Sequence, residues 1–322
     1  MALPDLPPAP EAPGMRERRS HPRWKSGSAA VIEVRSVRLA FDGRSVLSDV
    51  SLDIRFGERM VILGCSGGGK TTLLKVMLGA WRPDAGEVRV FGRDLGAMNE
   101  EDLNEMRRRW GVLFQNSALY NSMTVGENVG LPLREHTRLD DRIIDMMVKM
   151  KLELVGLQDF EALKPAQLSG GMAKRVALAR AIALDPEILF YDEPTTGLDP
   201  VTSGAIMALI NDLAAKTGAT SVIVTQDMRC AFTCADRIAL LHHGRVAALG
   251  TPEEFRASAD PLVKQFINGE PDGPIPLRWG GRDYAEEILG ASREILDRLP
   301  GRRNRRETGG AETGAPAGKG ST

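Results

Sequence analysis

The stretch Gly64-Cys65-Ser66-Gly67-Gly68-Gly69-Lys70-Thr71 decides how the chain is read. It spells G-x-x-x-x-G-K-T, the pattern of a loop that cradles phosphate groups. The apolar residues Met60-Val61-Ile62-Leu63 come before it and read as a buried strand. Leu74, Met77 and Leu78 follow it at helical spacing. Strand, glycine turn and helix are the context such a loop requires. The glycines let the backbone turn tightly and set successive N–H groups against phosphate oxygens. The start of the helix adds a partial positive charge. Lys70 is expected to reach the β- and γ-phosphates of a nucleotide, and the Thr71 hydroxyl to bind Mg²⁺. Gly64, Ser66, Gly67, Gly68, Gly69 and Thr72 complete the candidate contacts in this stretch.

The 322 residues allow one large α/β domain or two smaller ones. An apolar content of 42% with 26% charged residues is ordinary for a globular chain. The net charge of −1 gives no whole-molecule field that would draw nucleic acid or anionic lipid. Cys65, Cys230 and Cys234 form neither a disulfide framework nor a zinc pattern. Cys230 and Cys234, one helical turn apart, read as two small core residues in preference to a redox or metal pair. No apolar run approaches the roughly 18–20 residues that a membrane helix needs. The Pro-rich start Met1–Gly14 does not resemble a signal peptide. The chain is therefore expected in the cytosol, meeting a membrane only through a partner.

Residues 1–28, rich in Pro, Ala, Glu and Arg, are expected to form a disordered tail. Val31–Val34, Val37–Phe41 and Val50–Ile54 are strand-like, with Asp42-Gly43 as a hairpin turn. Residues 99–109 read as a helix and Trp110–Phe114 as a buried strand. Residues 117–135 read as either core or a docking surface. Asp141–Leu157 reads as an amphipathic helix with Ile143, Ile144, Met147, Met150 and Leu154 on one side. Strands are expected at Ile188–Tyr191 and Ser221–Thr225, helices at Ala173–Leu184 and 203–215, and a closing hairpin around His242-His243-Gly244. Alternating strands and helices imply a mainly parallel, covered sheet with an antiparallel patch at the start. The helix Tyr284–Leu299 carries an apolar stripe, and from Pro300 onward the composition predicts a second disordered tail.

Two further constellations bear on chemistry. The strand Ile188–Tyr191 delivers Asp192-Glu193. An acidic residue at a strand end beside the phosphate loop suits Mg²⁺, and Glu193 can orient and deprotonate a water. Leu168-Ser169-Gly170-Gly171-Met172 opens a helix. It reads either as an anion site, serving another molecule's nucleotide, or as a plain helix start capped by Ser169.

With these elements in place the chain resembles the ATP-binding cassette (ABC) ATPases over about residues 31–255. The resemblance implies an α/β P-loop NTPase with an antiparallel β subdomain, a RecA-like core and an inserted α-helical subdomain. Gly64–Thr71 then corresponds to the Walker A loop, and Gln115 to the Q-loop glutamine that senses the γ-phosphate and faces the permease. Leu168–Met172 corresponds to the LSGGQ signature, with Met172 in place of Gln. Asp192 and Glu193 correspond to the Walker B aspartate and the catalytic glutamate, Asp199 to the D-loop, and Phe41 to the aromatic that stacks on adenine. The resemblance makes ATP and Mg²⁺ the cofactors, the latter held by Thr71, Gln115 and Asp192. It also implies a homodimer in which each ATP lies between one chain's P-loop and the other's signature. One departure stands out: Gln226 replaces the usual histidine, and a glutamine can donate a hydrogen bond but cannot shuttle a proton.

A finer resemblance is to the ATPases of Mla/Mce-type lipid transport systems. It rests on Leu113-Phe114-Gln115-Asn116-Ser117-Ala118-Leu119, on Pro132-Leu133-Arg134-Glu135-His136, on the LSGGM variant at Leu168–Met172, and on Val263–Gly269 followed by Asp272-Gly273-Pro274-Ile275-Pro276. It implies an ATP-hydrolysing subunit on the cytoplasmic face of the inner membrane. Such a subunit is bound to an integral-membrane permease, linked indirectly to an Mce-domain substrate-binding protein, and has no nucleic-acid partner. Residues 30–256 would be the nucleotide-binding domain, 257–300 an extension able to clasp the partner chain, and 301–322 a tail. Gln226 leaves open a regulatory subunit with weak hydrolysis. A non-transport ABC protein is the other alternative.

Overall fold

The computed structural model describes residues 30–270 and 272–275. The helix expected at 284–299 and both expected tails lie outside the described residues.

The chain opens with strands β1 (Ala30–Phe41), β2 (Arg44–Arg55) and β3 (Arg59–Leu63), then helix α1 (Lys70–Met77), β4 (Ala85–Val90) and β5 (Arg93–Asp94). Next come α2 (Glu100–Arg107), β6 (Trp110–Leu113), α3 (Val125–His136), α4 (Asp141–Leu154) and α5 (Gly170–Ala181). β7 (Ile188–Asp192), α6 (Pro200–Thr217), β8 (Thr220–Thr225) and α7 (Met228–Cys234) follow. The described part closes with β9 (Arg237–His242), β10 (Arg245–Gly250), α8 (Pro252–Ala257) and α9 (Pro261–Asn268).

Two sheets result, with strand orders β2-β1-β4-β5 and β10-β9-β3-β8-β7-β6. The first is antiparallel and starts from a hairpin whose turn, Asp42 (φ 49°) and Gly43 (φ 77°), uses the left-handed backbone that tight hairpins favour. In the second, β9, β3, β8, β7 and β6 run parallel, and β10 is an antiparallel edge. β7 and β8 are buried at every position, as strands covered on both faces must be. Successive side chains point to opposite faces. Val61, Leu63, Leu189, Tyr191 and Ile223 therefore join one core under α3, α4, α5 and α6. Met60, Ile62, Phe190, Val222 and Val224 join another, shared with α1 and the antiparallel sheet. Cys230 and Cys234 are buried in the first core, and Phe255 and Val263 extend it into α8 and α9.

Two expectations are corrected. The separate strands at 31–34 and 37–41 are one strand, β1, whose pairing slips around Ser36 (φ 46°). The face proposed for α4 is wrong in part. Ile144, Val148 and Leu152 are buried, whereas Ile143, Met150 and Leu154 are exposed together with Met146. Two apolar stripes share this helix, and the one turned towards α3 and α5 is buried. Residues 117–135 contain both alternatives: Val125, Val129 and Leu133 of α3 are core, while Phe114 and Tyr120 nearby are exposed.

Candidate functional site

The strand order brings the ends of β3, β8 and β7 side by side, and the loops leaving them carry the chemistry. The chain leaves β3 at Leu63 and turns through Gly67 (φ 75°) and Gly69 (φ 91°) into α1, which begins at Lys70. At Gly64 even a methyl group would run into the carbonyl of Leu241 on β9, so the loop sits tight on the sheet. Lys70 is buried. Its Nζ donates to the carbonyls of Gly64 and Cys65, each at 3.0 Å, and lies 3.5 Å from Glu193 Oε1. Thr71 Oγ1 donates to Asp192 Oδ1 at 3.1 Å, which joins the start of α1 to the end of β7.

Glu193 follows β7 in left-handed backbone (φ 47°), and its N–H donates to the Val224 carbonyl at 2.8 Å. Non-glycine residues adopt this backbone at a cost of order 1–3 kcal/mol, and only where their surroundings over-determine it. Its Oε2 accepts from Thr196 Oγ1 at 3.1 Å, and from Thr225 Oγ1 and the Gln226 N–H at 3.4 Å each. The carboxylate thus meets hydrogen-bond donors on one oxygen and an ammonium on the other. Burial pushes the Asp192 carboxyl above its ordinary pKa, the Thr71 hydrogen bond pulls it back in part, and the charge of Glu193 adds to the rise.

Phe41 at the end of β1 is half-exposed and meets Trp81 edge-on, with ring centroids 4.8 Å apart. Lys75 lies over the Trp81 ring at 4.4 Å. Trp81 backs the expected adenine platform, and nothing in its local sequence signals this. Ser66 is exposed on the loop and Thr72 half-buried on α1. Gln115, after β6, has an exposed side chain, and its carbonyl accepts from Lys174.

The structure thus gathers Lys70, Thr71, Asp192, Glu193 and the backbone of Gln226 into one cluster. It does not bring Ser169, Gly170 or Asp199 into it. Ser169 is exposed at the start of α5, its Oγ accepting from the Met172 N–H at 3.3 Å, so the capping role is present. Gly170 is exposed beside it, whereas Gly171 is buried against Thr202. Asp199 is exposed and caps α6 through the Val201 and Thr202 N–H groups. Its bond from the Thr202 hydroxyl holds its carboxyl below the usual range.

The residues present fit Mg²⁺. Among the described residues no group of three or more His, Cys, Asp or Glu could hold a metal without help. Asp192 and Thr71 offer hard oxygen donors, and Mg²⁺ habitually draws its remaining ligands from phosphate and water.

The chain matches the ABC transporter family over residues 47–196. It is 41% identical over 259 residues to the intermembrane phospholipid transport system ATP-binding protein MlaF of Haemophilus influenzae, covering 80% of this chain and 98% of the relative. MlaF of Escherichia coli K12 is 40% identical over 264 residues, covering 82% and 98%. The probable ribonucleotide transport ATP-binding protein mkl of Mycobacterium tuberculosis H37Rv is 41% identical over 266 residues, covering 83% and 73%. Among solved structures, the dimeric bacterial ABC transporter cassette MJ0796 superposes with a TM-score of 0.65 at 33% identity, covering 69% of this chain and 98% of that one. Its dimeric post-hydrolysis state, bound to ADP and Pi, gives 0.64 at the same identity and coverage.

Proposed function

Because the chain belongs to the ABC transporter family, as an ATP-binding and ATP-hydrolysing subunit, we propose that it acts as a homodimer energising a permease that moves phospholipid or a related hydrophobic substrate. The observation that carries this reading is the convergence of Lys70, Thr71, Asp192 and Glu193 at the ends of β3 and β7, the two strands that flank β8. The phospholipid assignment is supported by the MlaF relatives, which this chain spans almost end to end. The mkl proteins, named for ribonucleotides, extend well beyond the match. The regulatory and non-transport readings gain no support from these relatives.

In the proposed cycle the triphosphate takes the N–H groups of Gly67–Thr71, and Lys70 exchanges the Gly64 and Cys65 carbonyls for phosphate oxygens. Glu193, no longer facing that ammonium, orients a water and accepts its proton as the water attacks the γ-phosphorus and the bond to the β–γ bridging oxygen breaks, giving ADP and inorganic phosphate. Thr71, Asp192 and Gln115 would hold Mg²⁺, whose charge offsets the negative charge gathered on the phosphates. Phe41, backed by Trp81, offers its exposed ring to the base. Ser169 and the start of α5 serve the partner chain's nucleotide, in keeping with their exposure and with the dimeric MJ0796 cassettes. Exposed Phe114 and Tyr120, on either side of Gln115, suit contact with a permease. No described helix is long and apolar enough to cross a membrane, in keeping with a subunit held at the cytoplasmic face of the inner membrane by that permease. An Mce-domain protein would be an indirect partner.

Mixing inactive variants tests the shared site. Lys70→Ala and Ser169→Arg chains should each be inactive alone. Together they should regain turnover, since a mixed dimer has one intact P-loop facing one intact signature. Absence of recovery would refute the sandwich. ATP-dependent phospholipid transfer between liposomes by the complex purified with its permease tests the substrate. Movement of ribonucleotide and not lipid would overturn that part.

A further inference from the structure

The signature helix α5 carries a buried cation that the chemistry above leaves unused. Lys174 is 5% exposed, and its Nζ donates to two carbonyls, that of Gln115 at 2.5 Å and that of Glu193 at 3.3 Å. These carbonyls lie just beyond the ends of β6 and β7, neighbouring parallel strands. Both loops hold non-glycine residues in left-handed backbone, Glu193 itself (φ 47°) and Ser117 and Ala118 (φ 60° and 48°). Further along the helix Arg180 donates to the carbonyls of Ser117 and Ala118 at 2.8 and 2.7 Å, so α5 grips the 115–118 loop at two points. Burial of Lys174 lowers its pKa, and the charges of Asp192 and Glu193 oppose that shift.

We propose that Lys174 is a positioning residue for hydrolysis, fixing the main chain of Gln115 and of Glu193 relative to each other from helix α5. The proposal rests on the roles given above to Gln115 and Glu193. Left-handed backbone relaxes unless held, and a misplacement of about 1 Å in a reacting group costs on the order of 10² in rate. Ser169 starts the same helix five residues earlier, about 7–8 Å along its axis. A displacement of α5 by the partner's nucleotide would therefore reach this chain's own base through Lys174.

The test compares Lys174→Met and Lys174→Arg in the full-length chain. It measures mant-ATP affinity, turnover by phosphate release, and the Mg²⁺ concentration at half-maximal rate. Lys174→Met should lower kcat at least tenfold and raise the half-saturating Mg²⁺ at least threefold, with the mant-ATP Kd within twofold of wild type. Lys174→Arg, which can still bridge two carbonyls, should recover most of the rate. If Lys174→Met does not fold, Lys174→Gln is read in its place, since its shorter side chain cannot span both carbonyls. Turnover within twofold of wild type, loss of affinity in step with loss of rate, or an arginine variant as slow as the methionine one would each overturn the proposal. A parallel Glu193→Gln sample separates the two claims. Retained turnover there removes the base assignment, while the Mg²⁺ shift and the kcat–Kd split still decide the role of Lys174 towards Gln115.

Discussion

Replacing Glu193 with glutamine should damage the nucleotide-free protein as well as its catalysis, and the damage should ease when ATP binds. One carboxylate oxygen lies 3.5 Å from the Lys70 ammonium, and the other accepts from the Gln226 N–H at 3.4 Å. An amide offers one oxygen and one NH₂ group. In either orientation its NH₂ must face one of these two donors, although the hydroxyls of Thr196 and Thr225 can rotate to accept. One buried donor pair set against each other costs about 1–3 kcal/mol. At about 2–4 °C per kcal/mol for a domain of this size, the melting temperature should fall by roughly 2–12 °C. MgATP draws Lys70 towards phosphate and removes the clash. The variant should therefore gain more in melting temperature from MgATP than wild type does, while turnover falls by about 10²–10⁴. Differential scanning fluorimetry with and without MgATP, alongside phosphate release, reads both effects. An unchanged nucleotide-free melting temperature, or a rate within tenfold of wild type, would refute the reasoning.

Four other outcomes are expected. Apparent Mg²⁺ affinity should fall as pH drops through the raised pKa of Asp192, because the proton competes for the same oxygen, and titrations of Asp192→Asn should lose that slope. Without nucleotide the sign reverses. A carboxyl whose pKa rises on folding favours the fold fully below its unfolded value of about 3.9 and loses that contribution as pH rises through the folded value, so acid denaturation of Asp192→Asn should differ from wild type in that window. Gly111→Ala should destabilise by about 1–3 kcal/mol in urea titrations, because the new methyl would meet the Ala181 carbonyl and the Leu189 side chain. Gln226→His should add a limb at about pH 6.5 to the pH–rate profile, since it puts a titratable ring on the residue whose backbone N–H meets Glu193.

What the sequence made legible was whatever is local. The phosphate loop could be read because strand, glycines and helix are contiguous, and Asp192-Glu193 because a fully apolar strand points to them. Helix α3 escaped notice although Thr124 and Glu127 form a capping box, a signal present in the residues themselves. The buried face of α4 was not legible from spacing alone. Ile144, Val148 and Leu152 recur with the same period as the exposed residues, and only the placement of α3 and α5 chooses between them. Lys174 left no trace because its partner Gln115 lies 59 residues away and is met through a carbonyl, which every residue has. Trp81 behind Phe41 was equally hidden, because the two rings meet only once β1 and the stretch after α1 are folded together.

The order of strands has a mechanical consequence. β8 lies inside the sheet, laddered to β3 on one side and β7 on the other, so the residues it presents cannot shift without breaking two seams at once. Among the described residues β6 lies at the margin with β7 as its one neighbour, and the loop it launches is held by the Lys174 and Arg180 side chains of α5. In the proposed cycle, bond cleavage is anchored at the doubly laddered centre of the sheet, and contact with the membrane partner falls to its margin.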